Sequence, residues 1–261
     1  MKFSFVTPLA VFLILFLGVQ FCKADTISDL FAEPQQKNGE VVVERPIDLT
    51  ANYKDRRHRH GVLFSVAKEK FYPVDYQSQY KDQFIDQLIG GRTISLLSAE
   101  LGYKYNFSLG SIGLLIGYAQ GNSDAPGLNN IWIKRTTASA SIALDNYFDE
   151  PYVVPYFQGG VSNFAVEEGR SGTGYQNSSA SAVPNYKMGI LFQLNWIEKA
   201  IDPTSEGQGL RSSGLENTYL DVYYIAHFPT SASITSENPN EGTEPNMRTQ
   251  NEMGIGLKME F

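Results

Sequence analysis

The chain has 261 residues, with 21 basic and 28 acidic side chains, three histidines and a formal charge of −7. That acidic balance excludes a nucleic-acid partner of the usual basic kind, and the single cysteine excludes an internal disulfide framework. A mean hydropathy of −0.24, with one long apolar run at the amino end, excludes a bundle of membrane-spanning helices.

Lys2 is followed by an apolar run from Phe3 to Phe21, and then by Cys22-Lys23-Ala24. A charged start, an apolar middle and a small-residue end define a secretory signal over residues 1–24. A retained anchor is the alternative, but Pro8 interrupts the run. A lipidated Cys22 is another, but Phe21 is bulky for such a site. Cleavage after Ala24 removes the only cysteine together with Lys2 and Lys23, leaving 19 basic against 28 acidic residues and a charge of −9. Residues 25–60 are polar and read as a mobile periplasmic lead. Its Arg56-Arg57-His58-Arg59-His60 stretch reads as a solvated basic patch, with a two-histidine metal site as the competing reading.

Strands then follow by period-2 alternation. The first runs over Gly61–Phe71, with Val62, Phe64 and Val66 against Leu63, Ser65 and Ala67, and a polar, tyrosine-rich loop follows from Tyr72 to Gly91. The second, over 97–107, sets Leu97, Ala99, Leu101, Tyr103, Tyr105 and Phe107 against Ser98, Glu100, Gly102, Lys104 and Asn106. A charge placed at Leu101 would therefore meet lipid, while Gly102→Ser, on the wet face, should matter less. A tight turn leads to a third strand over 111–119, and a turn-rich loop at 121–127 leads to a fourth over 132–144. After 145–151 comes a fifth over Val153–Phe164. Glu167 to Val183, rich in Gly, Ser and Asn, reads as a mobile loop. The sixth strand covers Tyr186–Trp196 and the seventh Thr218–Phe228. The connection from Ile197 to Asn217 is long, and the one from Pro229 to Met247 is acidic. The last strand, Met253–Phe261, places Met253, Ile255, Leu257, Met259 and Phe261 on one face.

Eight strands of about ten residues suit a tilted crossing of the hydrocarbon layer. Alternating apolar and polar faces, abundant Tyr and Phe for interfacial girdles, and long connections after strands one, three, five and seven fit an all-β, eight-stranded antiparallel transmembrane up-and-down β-barrel over residues 61–261. An even strand count puts both termini on one side, and that side is expected to be periplasmic. The aromatic ending, and the Pro155-Tyr156 strand with its paired Gly159-Gly160, resemble the small bacterial outer-membrane β-barrel superfamily of the OmpA membrane domain, OmpX and OmpW. That resemblance implies a cell outer-membrane location among outer-membrane lipids. It also implies an assembly signal at Leu257, Met259 and Phe261, read by the barrel-insertion machinery. The long sixth connection departs from the family's short turns.

The inward faces carry Glu100, Lys104, Lys187, Asp221, His227, Glu252, Lys258 and Glu260. An eight-stranded barrel is just wide enough for its own side chains, and charges of both signs there form a paired network more simply than a path, because an unpaired buried charge is costly. The function expected is a structural or surface-interaction role with a plugged lumen and exposed polar loops that meet an unidentified surface ligand. A narrow channel for ions or small solutes is the alternative. A lipid-modifying enzyme ranks third: His227 has Asp221 and Tyr223 on its face and Ser231 and Ser233 beyond, but spacing alone assembles no triad. No catalytic, cofactor or metal residue is assigned.

Overall fold

The computed structural model of the chain describes residues 52–78, 84–123, 130–169, 175–195, 214–229, 245–250 and 252–261. The expected signal at 1–24, most of the lead, and most of the sixth and seventh connections lie outside the described residues. Among the described residues, two short helices, α1 (Tyr53–Arg56) and α2 (Ile85–Ile89), accompany eight strands. These are β1 (His60–Phe71), β2 (Ile94–Asn106), β3 (Ser111–Ser123), β4 (Asn130–Ala143), β5 (Val153–Gly169), β6 (Tyr175–Gln193), β7 (Asn217–His227) and β8 (Glu252–Glu260). Every neighbouring pair is antiparallel, and β1 pairs with β8 from Leu63↔Glu260 to Glu69↔Gly254, closing the barrel in sequence order. Closure leaves no unpaired edge through the levels that all eight strands share, the condition for crossing a layer without water.

The period-2 pattern sets which face looks out. Leu97, Leu101, Ile112, Leu114, Ile116, Ile142, Phe157, Val161, Met188, Ile190, Met253, Ile255 and Leu257 are all exposed on the outer surface. Most of their cross-strand partners are likewise apolar, as in Leu101 between Phe64 and Ile116, whereas Leu97 faces Lys68 and Gln120 and Ile255 faces Lys68. Aromatic side chains Tyr103, Tyr147, Phe148, Tyr152 and Phe261 are exposed at the end carrying the short turns, here the turn end, and Tyr118, Trp132, Tyr224 and Phe228 toward the other, the loop end. A soluble barrel would hide such a surface; a bilayer covers it.

Three expectations are corrected. The stretch 167–183, expected as a mobile loop, is mostly strand: β5 has 17 residues, β6 has 19, and residues 170–174 separate them. The outward residues of this hairpin include Asn163, Asn177 and Ser179, so the apolar alternation that marks the other strands disappears there. A register shift between Ser162 and Phe164 marks the hairpin, opposite Ala182, whose φ of 54° is left-handed and whose N–H bonds Asn163 Oδ1 at 2.8 Å. Residues 52–59, expected within a mobile lead, are folded against the turn end. Helix α1 is too short to stand alone; its first N–H, of Tyr53, bonds Glu150 Oε1 at 3.0 Å, and the Tyr53 ring is fully buried. The tyrosine-rich loop after β1 holds α2, whose Ile85, Leu88 and Ile89 are buried inside the loop end. It stops at Gly90, with φ 62°, the left-handed C-cap that glycine adopts without strain.

Candidate functional site: the barrel lumen

The inward side chains form three levels. At the turn end, Lys104 lies 2.7 Å from Asp145 and in contact with Glu260, with side chains at most 5% exposed. The Tyr53 hydroxyl donates to Glu260 at 2.9 Å and accepts from Lys104 at 3.1 Å. Burial and the neighbouring Glu260 push that phenol well above its ordinary pKa, so it stays a donor. Arg57 closes the level, reaching Asp145 at 3.2 Å and the Gly110 carbonyl at 2.8 Å. A cavity of about 20 Å³, lined in part by Lys104, Asp145, Tyr156, Lys258 and Glu260, has room for a water molecule.

The middle level is a second network. Lys187 lies 2.7 Å from Glu100 and 4.5 Å from the centre of the Tyr223 ring. Tyr223 donates to Glu69 at 2.8 Å, and Glu69 pairs with Arg135 at 2.6 Å, with side chains 1% and 4% exposed. Asp221 accepts from the Tyr156 hydroxyl at 2.9 Å, and Lys258 sits 4.7 Å from the centre of that tyrosine's ring. The third level, at the loop end, is apolar: Phe71, Ile94, Leu96, Ile131, Ile133, Phe164 and Val166 from the wall meet Ile85, Leu88 and Ile89 of α2. Buried Glu168 ties the loop down by accepting from Tyr76 and, at 2.5 Å, from Ser78. Burial and Glu168 push the Tyr76 phenol far up in pKa.

Glu100, Lys104, Lys187, Asp221, His227, Glu252 and Lys258 all lie on the inner face and are buried. Glu100 and Lys187 form one contact, Lys104 joins Glu260 in another, and Asp221 and Lys258 share Tyr156. His227 and Glu252 belong to neither network. The His227 ring packs edge-on against Phe71 and Phe164, with Nδ1 3.3 Å from Thr249 Oγ1, while Glu252 accepts the Tyr72 N–H. Ser231 and Ser233 lie outside the described residues. His58 faces Glu216 at 3.8 Å and His60 stacks on Tyr103, and among the described residues no cluster of three or more His, Cys, Asp or Glu could hold a metal.

Sequence reasoning missed Glu69, Arg135, Asp145, Tyr53 and Tyr156. Glu69 is two residues beyond Ala67 and Arg135 two before Thr137, so extending each alternation would have placed both inside. Asp145 and Tyr53 lie outside any strand and carried no such signal. Gly102, where Ser is expected to matter less than a charge at Leu101, is closely packed: a Cβ there would stand 2.8 Å from Leu115 Cγ and 2.9 Å from the Leu114 carbonyl oxygen.

A closed ring of eight antiparallel strands, apolar outside and charged within, defines a small transmembrane β-barrel of the outer-membrane kind. No family model matches the chain, and no curated protein matches it. Among solved structures, the N-terminal β-barrel domain of Pseudomonas aeruginosa OprF is 14% identical over 77% of this chain and 99% of its own, with a TM-score of 0.41. Neisserial surface protein A is 13% identical over 78% and 98%, with a TM-score of 0.42. Ail of Yersinia pestis, solved with the heparin analogue sucrose octasulfate, is 13% identical over 77% and 97%, with a TM-score of 0.40. At such identity and score these likenesses carry no functional information, and the architecture stands on this chain's own strand register.

Proposed function

We propose that this protein is an exported outer-membrane barrel with a structural or surface-interaction role. Its turn end and both termini face the periplasm, and its lumen is plugged. The observation that carries this reading is the stacking of two ion-paired levels beneath an apolar one: no described level offers a continuous polar path from end to end. Rigid strands then hold the loop end and the protruding β5–β6 hairpin outside the cell, the usual division between a scaffold and the segments that meet a partner. The surroundings of His227, two aromatic rings and a threonine hydroxyl, favour a packing role over catalysis.

The test is single-channel recording of the purified protein in planar bilayers, with folding verified by a heat-dependent gel shift. A silent membrane is expected. Discrete ion-selective steps would overturn the plugged lumen in favour of a narrow channel, with Glu100 and Lys187 the first groups to neutralise.

A further inference from the structure

The outer face of β1 changes character along its length. Val62 and Val66 are exposed and apolar; the next two outward residues, Lys68 and Lys70, are exposed and cationic. Lys68 stands between Leu97 of β2 and Ile255 of β8, which are 59% and 54% exposed. Lys70 pairs across to Ser95, where the apolar face of β2 ends. Arg92, also exposed, lies two residues before the start of β2, whose Ile94 pairs with Phe71. Three exposed cations thus lie at the loop end of the neighbouring strands β1 and β2.

None of the three side chains has a hydrogen-bond or ion-pair partner among the described residues. Other exposed cations of the same end are matched: Lys134 with Glu167 at 2.7 Å, and Arg248 with Asp75 at 3.0 Å. An ammonium among lipid-facing aliphatics is stable only where its stem can carry the charge to the head-group layer. Lys68 and Lys70, on one strand face about 7 Å apart, repel each other unless an anion lies between them.

We propose that Lys68, Lys70 and Arg92 form a site for the phosphate groups of a membrane lipid in the leaflet at the loop end. The inference rests on the membrane-spanning reading above. A lipid is favoured over a soluble polyanion because Leu97 and Ile255 flank Lys68 directly. A lipid's acyl chains bury those side chains while its phosphates meet the cations, and a soluble polyanion gains nothing from them.

The experiment titrates the purified protein, folded in neutral maltoside micelles, with diphosphorylated lipid A and with its dephosphorylated form, and reads bound lipid by native mass spectrometry. The wild type should retain the phosphorylated lipid selectively. Each cation near an anionic surface contributes about fivefold in affinity, so K68Q/K70Q/R92Q should bind roughly 100-fold more weakly. K68R/K70R should bind like the wild type, and so should Lys134→Gln. Unchanged affinity in the triple variant, equal retention of the phosphate-free lipid, or equally tight binding of inositol hexakisphosphate would each overturn the site. Failure of the wild type to give a heat-dependent gel shift in any micelle or vesicle would instead overturn the barrel reading beneath it.

Discussion

The Glu69–Arg135 pair offers a measure of how dry the lumen is. The two groups meet at 2.6 Å with side chains 1% and 4% exposed. In a packed lumen, removing one partner strands the other, and such changes cost about 3–5 kcal/mol. Arg135→Leu should fall near the lower figure, because Glu69 keeps the Tyr223 hydroxyl at 2.8 Å. Glu69→Leu should fall near the upper one, because Arg135 Nε and Nη1 already lack partners among the described residues. The double replacement removes both charges together and should return to within about 1 kcal/mol of the wild type, since a buried pair replaced by apolar groups is often neutral. In a water-filled lumen the same pair would be worth at most about 1 kcal/mol, and all three variants would cluster near the wild type. Urea unfolding of the barrel in vesicles, followed by tryptophan fluorescence and the gel shift, supplies the double-mutant cycle. Single variants each losing less than about 1 kcal/mol, with no coupling, would refute the packed lumen and the reasoning that leads to it.

Leu101→Arg, on the lipid face between Phe64 and Ile116, should cost about 2–4 kcal/mol in vesicles near the midplane. Gly102→Ala should cost about 1–3 kcal/mol by overpacking against Leu115; a neutral Gly102→Ala would show that the wall yields there. Deleting Phe261 should lower the amount of assembled barrel in cells. In detergent it should cost only the two backbone bonds to Val62, at 2.7 and 2.8 Å, or about 1–3 kcal/mol, and undiminished assembly in cells would remove the ending as a signal. Burial, and then Glu260 beside it, hold Glu216 above the usual carboxylate range. A carboxyl raised in the folded state stabilises at low pH, and that contribution disappears as pH rises through its folded pKa. Glu216→Gln should therefore be most stabilising, relative to wild type, at neutral pH and above, and a pH-independent difference would contradict the assignment.

Much of the barrel is legible in the chain because lipid and lumen impose opposite solvents on alternate residues. Leu97, Ala99, Leu101 and Tyr103 against Ser98, Glu100, Gly102 and Lys104 is that contrast written out, and the strand of which they are part is observed as β2. Legibility fails where the contrast does. The protruding ends of β5 and β6 have water on one side, so Asn177, Ser178 and Ser179 looked like loop while pairing with Glu167, Val166 and Ala165. Helix α2 is only five residues long, too short for its own periodicity to register among the polar residues around it.

The sequence by itself determined the strand count, the closed architecture and the parity of each inward residue, because period 2 is a local property of an extended chain. Only the tertiary structure decided which inward charges meet. Lys104 with Glu260 and Lys187 with Glu100 are separated by 156 and 87 residues, and their contact depends on strand register and closure, which bring distant positions to one level. The same holds for Tyr53 and for α2. Each is a short segment with little structure of its own, placed in the barrel ends by the burial that the finished wall provides.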